Sequence, residues 1–323
     1  MHNRLLRFLA LLGAALLTLF AVAACGGDDS GAGASGPSRQ YTDAHGRTVD
    51  IPEHPGKVVT LAEGALDAAL ALGVIPVGTT SARGQTMAPA YLGAEAADIP
   101  IVATPRGPNL QQILKVRPDL ILVDDTTAAR NSLDELSKIA PTLLIAKYAD
   151  GWETYFKAVA DVLDRHEQYT TVSTEIATEI GQVKQRVTAQ QVDGRAATAG
   201  IVRWAADGPT IVGGNSMPSW VLKQVGFTRP AAQEKINSQG RSGDKVSLEY
   251  LDLIDADYLF FGVLAGKDKA AEELSAARKL PGFATLGANR SGKVFPVDGV
   301  PWTSGSGPLG VRAVLSDIAA AVG

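Results

Sequence analysis

Apolar residues in this chain recur in two alternating patterns, short continuous runs and stripes spaced by three and four. The runs from Val58 to Leu61, Asp119 to Val123 and Thr142 to Ala146 have the length of buried strands, and stripes over 64–72, 109–116 and 130–139 predict helices between them. Strands separated by helical segments in this way build parallel βα units. Pro118 disfavours helical backbone at the residue before it, so the second of these helices ends just short of its strand.

The pattern then repeats. NLQQILKVRPDLILVDD at 109–125 returns as SLEYLDLIDADYLFFGV at 247–263, with a polar helix cap, an apolar stripe, an Asp and an apolar strand in the same order. VVTLAEGALDAALALGV at 58–74 and TIVGGNSMPSWVLKQVGF at 210–227 form a second pair, each an apolar strand followed by a short helix ending in Gly and a hydrophobic residue. Between the halves, Tyr169, Val172, Ile176, Ile180, Val183 and Val187 mark one apolar face of a helix predicted over 167–191. At 1.5 Å per residue it is roughly 37 Å long, enough to bridge two lobes. The same face would also suit an ordinary helix inside one lobe. As a single rigid connector, it predicts lobes that close less than lobes hinged on loose strands.

The expected fold is therefore α/β, two Rossmann-like lobes joined by one long helix with a ligand cleft between them. The expected divisions are a leader at 1–24, a flexible tether at 25–40, a first lobe at 41–165, the connecting helix at 166–192 and a second lobe at 193–323. The second lobe opens with a strand in ATAGIVRW at 197–204, and a last strand at Lys293 to Val297 leads through GVPWTSGSGPLG into a helix at about 308–322. Clefts between lobes are preferred ligand sites, which points to a binding protein.

Arg4 and Arg7, an apolar run from Phe8 to Ala24 and then Cys25 describe a secretory leader. VAAC at 22–25 resembles a bacterial lipobox, which makes Cys25 the lipidated first residue of the mature chain; Ala21-Val22-Ala23 would also suit an ordinary signal peptidase. Cys25 is the only cysteine, so no internal disulfide forms. GGDDSGAGASGPS at 26–38 has too little apolar surface to fold and reads as a tether of roughly 20 Å average span. Loss of the leader takes the 30 basic residues to 28 against 34 acidic ones, a balance of about −6. With no basic patch, nucleic acid is not an expected partner.

Chemistry is sparse. Gly305, Gly307 and Gly310 match G-x-G-x-x-G, but Pro308 lies inside the pattern and no βα unit can follow, so it is not read as a nucleotide site. No Walker sequence or G-x-S-x-G elbow is present. His45, His54 and His166 are scattered, and no resident metal site is expected. Asp124 and Asp125 at a strand end receive no role. The candidates for ligand contact are Arg83 and Arg106 in loops of the first lobe, Arg203 and Trp204 at a strand end of the second, and Trp302 in the Gly-rich loop. Guanidinium forks pair with clustered oxygen anions and indole faces pack flat ligands. Burial of Trp204 and Trp302 in the core is the competing reading, and Trp220 is expected to pack inside its lobe.

KVVTLAEGALDAALALGVIPVG, PNLQQILKVRPDLILVD, VLKQVGFTRPAAQ, VSLEYLDLIDADYLFFG and LPGFATLGANRSGKVFPVDG together resemble the substrate-binding lipoproteins of iron–siderophore ABC importers, the group related to ferrichrome-, ferric-citrate- and cobalamin-binding proteins. The likeness covers about 41–323 and implies a non-enzymatic receptor. It implies no cofactor, a ferric siderophore as cargo whose iron is held by the chelator, and Arg and aromatic contacts between the lobes. It also implies an ABC permease with its ATPase as partner, a monomer, and a lipid anchor on the outer face of the cytoplasmic membrane. Relatives dock on the permease through one acidic residue per lobe. By motif these positions are Glu249 and Gln111, so the first lobe lacks the usual acid. Haem, cobalamin or another metal chelate is the alternative cargo, and a cleft enzyme the distant alternative.

Overall fold

A computed structural model describes residues 36–147, 150–236, 243–305 and 307–323. The expected leader, the Cys25 anchor and most of the tether lie outside the described residues. The tether was expected to reach residue 40, but β1 (Ser38–Thr42) already pairs antiparallel with β2 (Thr48–Pro52). Arg39 explains the early start, since its guanidinium donates to the carbonyls of Asp161 and Val162 at 2.7 and 3.1 Å and pins the hairpin to the body.

The first lobe is built on β3 (Val58–Thr60), β4 (Gly78–Thr80), β5 (Ile101–Thr104), β6 (Gly107–Pro108), β7 (Leu120–Val123) and β8 (Thr142–Leu144). They form one sheet in the order β6-β5-β4-β3-β7-β8, parallel except at β6. The continuous apolar runs arise because both faces are covered. Leu120 and Leu122 enter one apolar cluster, while Ile121 and Val123 enter another on the opposite face, as a period of two requires. Chain order reverses between β3 and β7, which opens a crevice beyond the carboxyl ends of those two strands.

After a small hairpin of β9 (Gln191–Val192) and β10 (Arg195–Ala196), the second lobe holds β11 (Ala199–Arg203), β12 (Thr210–Val212), β13 (Gly243–Lys245), β14 (Tyr258–Val263) and β15 (Val294–Asp298). Their order is β13-β12-β11-β14-β15, with β11, β14 and β15 parallel. β12 runs antiparallel to β11. The repeat between 58–74 and 210–227 is therefore one of local pattern: β3 lies beside β7, but β12 does not lie beside β14, and β11 takes that place. The other repeat keeps its sheet position but not its helix. Leu110–Val116 is α-helical, capped by Asn109 accepting from the Gln112 N–H, whereas Leu248–Ile254 is a 3-10 helix kinked at Tyr250.

The helix His166–Thr188 lies between the two sheets in sequence. Its Ile176, Val183 and Val187 are buried, and Glu175 and Glu179 pair with Arg312 on the last helix, Pro308–Val322, at 2.5 and 3.2 Å. One apolar cluster runs from Leu120 and Phe156 in the first lobe through Val183 to Phe260, Trp302 and Val311 in the second. The lobes thus share a core along their back, and the described residues pack as one compact unit.

Candidate ligand-binding site

A cavity of about 300 Å³ lies where the sequence pattern placed a cleft. Its first-lobe wall comes from the carboxyl ends of the parallel strands: Leu61 after β3, Thr80 and Ser81 at β4, Ala103 and Thr104 at β5, and Val123 to Asp125 at β7. The second lobe contributes Asn215 to Pro218 and Thr303 to Gly305. Helices starting at Glu63, Thr127, Gly151 and Met217 all begin beside this space, each following a strand or loop that ends there.

Glu63 opens its helix and turns its carboxylate into the cavity wall, where the Arg83 backbone N–H donates to Oε1 at 2.6 Å. Burial pushes the Glu63 carboxyl up from its ordinary range, and the Arg83 N–H and guanidinium pull it partly back. Burial likewise pushes up Asp124, which bonds to Thr126 and feels the same guanidinium. Asp125 pairs outward with His45 Nε2 at 3.0 Å and Arg130 at 3.4 Å. Both aspartates, given no role from sequence, are half-buried lining residues because β7 ends at the crevice.

The helix Gly151–Leu163 supplies two residues that sequence reading missed. Trp152 and Tyr155, one turn apart, line the cavity at 6% and 7% exposure. Neither Trp152 Nε1 nor Tyr155 Oη finds a hydrogen-bond partner among the described residues. Burial raises the Tyr155 phenol far above its ordinary range, with Asp124 adding to it, so it stays a neutral O–H. Trp152 also meets Trp220 of the second lobe edge-on, with ring centroids 5.5 Å apart. The apolar stripe of this helix was visible in the chain, but nothing local marked its first turn as facing a ligand.

The residues chosen from sequence are dispersed. Arg83 lines the cavity; Arg106 is exposed between the lining residues Pro105 and Gly107. Arg203 lies outside the lining, close enough to Asp207 to lower that carboxyl, whose first partner is Lys245. Trp204 and Trp302 are corrected to core positions. Trp204 packs on Phe261 and Phe283. Trp302 is fully buried, stacks on Phe260 and donates its indole N–H to Asp317 at 2.9 Å. The loop carrying Trp302 does reach the cavity, but as a short helix, Gly299–Thr303, that presents Thr303 and Ser304 there and turns the indole inward. Gln111 and Glu249 are exposed at the starts of their helices, away from the cavity.

Among the described residues no three His, Cys, Asp or Glu side chains gather as a metal site, and no helix is long and apolar enough to cross a membrane. The arrangement is that of a container, with hydroxyls, half-buried carboxylates, Arg83, Lys147 and indole and phenol donors around an apolar floor.

Known proteins place this container. The chain is 26% identical over 312 residues to the probable siderophore-binding lipoprotein YfiY of Bacillus subtilis, covering 94% of each. It is 29% identical over 304 residues to the Fe(3+)-citrate-binding protein YfmC of the same organism, covering 92% of this chain and 91% of that one. Staphylococcus aureus SirA complexed with staphyloferrin B superposes with a TM-score of 0.71 at 26% identity, covering 87% of this chain and 96% of SirA. The profile of the family described as periplasmic binding protein matches residues 58–300, from β3 through β15. With most of the chain matched and the two-lobed fold in place, the protein belongs to the periplasmic binding protein family.

Proposed function

We propose that this chain is the extracytoplasmic receptor of an ABC importer, capturing a ferric siderophore between its lobes and handing it to the permease. The carrying observation is the cavity at the strand ends between the lobes, in a chain whose relatives along nearly its whole length are named for binding siderophores or ferric citrate. The iron enters already coordinated by its chelator, so the lining has only to recognise the chelator's oxygens and outer surface. Arg83 contacts cargo directly, and Arg106 does so from the rim. Among the described residues the lining contains hydroxyls but neither His nor Cys to activate them, which supports binding over turnover. Glu249 and, more weakly, Gln111 dock the lobes on the permease, the ATPase acts from the far side, and Cys25 anchors a monomer to the outer face of the cytoplasmic membrane.

The reading is tested by titrating the purified protein with ferric hydroxamates, catecholates and carboxylates, and with haem and cobalamin, following tryptophan emission and the visible band of each ligand. Tight, unmodified recovery of at least one ferric siderophore is expected. Binding of haem or cobalamin alone would replace the cargo, and chemical change of the bound chelate would replace the binding role.

A further inference from the structure

We propose that Gln85 is a positioning residue: by bonding to the second lobe it holds Arg83 against cargo only while the lobes are together. The inference rests on the proposed capture of a ferric siderophore and concerns how grip and closure are coupled.

Arg83 and Gln85 lie in one tight turn that leaves the carboxyl end of β4. The turn is closed on itself, with the Ala82 N–H donating to the Met87 carbonyl at 2.8 Å and the Gln85 N–H to the Ala82 carbonyl at 3.0 Å. It is also tied at two points to opposite lobes. The Arg83 N–H donates to Glu63 of the first lobe at 2.6 Å. Gln85 Nε2 donates at 2.8 Å to the Leu264 carbonyl, just past the carboxyl end of β14 in the second lobe. Between these ties Gly84 takes a φ of +78° and lies against Leu264, where a Cβ would come within 2.9 Å of the Leu264 Cβ. Glycine suits both that backbone and so close an approach.

The turn therefore has two sides. Arg83 lines the cavity, whereas Gly84, Gln85 and Leu264 meet outside the lining. The apolar cluster shared along the back holds the lobes by many buried side chains, Val183, Trp302 and Val311 among them. The Gln85 bond is a single contact between two half-buried residues, so separating the lobes there costs little. Once it breaks, the turn keeps its internal bonds and its tie to Glu63 but loses its second-lobe support. The exposed Arg83 side chain then regains freedom that a fixed turn denies it. A guanidinium fork grips clustered oxygens best when it is pre-positioned. Closure switches the grip on, and separation at the permease switches it off.

The test measures release of ferric citrate, ferrioxamine B or ferric enterobactin, whichever the purified chain binds most tightly, by stopped-flow recovery of tryptophan emission during a chase with the matching gallium(III) chelate. Gln85→Met keeps the length and removes the donor, and should speed release about two- to tenfold, the worth of one hydrogen bond. Capture should change less, because the turn engages the second lobe only after the lobes meet. Gln85→Glu, which also lacks the donor, should act in the same direction. Arg83→Ala should speed release as well, and in that background Gln85→Met should add almost nothing, because the two changes remove one grip. A Gln85 that merely stabilised the fold would instead lower the thermal midpoint of the ligand-free chain and act equally in both backgrounds. Unchanged release in Gln85→Met, or effects that multiply in the double variant, overturns the inference while leaving siderophore capture in place. Failure of all three chelates to bind overturns both.

Discussion

Asp67 of the first lobe caps the last helix of the second, accepting the Gly310 backbone N–H at 2.8 Å on Oδ2. The Leu309 N–H reaches Oδ1 at the same distance, and the Tyr91 hydroxyl donates to Oδ2. The helix Pro308–Val322 has no side-chain cap of its own, so a buried carboxylate from another lobe supplies one. The glycines that mimic a nucleotide fingerprint are explained here. A Cβ on Gly307 would lie 2.2 Å from Asp67 Cγ, and one on Gly310 would crowd Met217 and the carboxylate. The backbone approaches an internal anion as closely as a dinucleotide loop approaches a phosphate. Gly307→Ala should cost about 2–3 kcal/mol, and less in an Asp67→Ala background, because the two changes relieve the same clash. Denaturant melts of the two single variants and the double variant measure the coupling; strict additivity would contradict it.

The same carboxylate sets a pH dependence. Burial pushes Asp67 up to about 6, the three donors offsetting only part of that. The folded state then holds the proton more tightly than the unfolded chain does. Its contribution to stability is complete below the ordinary carboxylate value of 3.8 and is lost as pH rises through about 6. Asp67→Asn cannot titrate, so the stability of the parent relative to this variant should fall by roughly 2–2.5 kcal/mol between pH 4 and pH 7. Chemical denaturation of both proteins across that range checks the sign. A relative stability that rises with pH would mean that the donors outweigh desolvation.

The two tryptophans should separate by phenotype. Trp302→Phe removes a buried indole N–H bond to Asp317 and some core volume, and should cost about 1–3 kcal/mol of stability while leaving cargo affinity near the parent value. Trp152→Phe should do the reverse, lowering affinity for a ferric hydroxamate by about tenfold, the worth of one hydrogen bond. It should also remove most of the cargo-induced change in emission. Fluorescence titration and thermal melts of the two variants decide it, and an unaltered quench in Trp152→Phe would place the chromophore that senses cargo elsewhere.

Docking makes a further prediction. Glu249 and Gln111 are exposed and away from the cavity, so Glu249→Ala should leave cargo affinity intact and reduce uptake. A close interfacial charge pair couples by about 1.5–7 kcal/mol, and Gln111→Ala, lacking charge, should have the smaller effect. Uptake of labelled iron and cargo affinity measured on the same variants are the required pair of readouts. Normal uptake with Glu249→Ala would remove this residue from the docking surface.

Lipidation is tested by fractionation. Two acyl chains hold a protein at a membrane where one does so only marginally, so Cys25→Ser should release the chain from the membrane fraction. Intact mass of the parent should show a diacylated or triacylated residue 25 with residues 1–24 removed.

Periodicity alone was enough to read much of this molecule. Runs such as Leu120–Val123 and stripes such as Ile176, Val183 and Val187 report burial directly, because a strand covered on both faces and a helix covered on one leave different spacings. The alternation of these elements implied parallel sheets, and the repeat implied two lobes, so the existence of a cleft was legible in the sequence. The lining was not. Trp204 and Trp152 look equally eligible in a sequence, yet one packs on Phe261 and Phe283 while the other faces the cavity with its N–H unpartnered among the described residues. Which way each side points depends on where its element enters the packed core. Asp67 is the clearest case. Its partners lie 242 and 243 positions away, a distance over which no local pattern carries information, and only the packing of the first lobe against the last helix turned a lone acid among alanines into the cap between lobes.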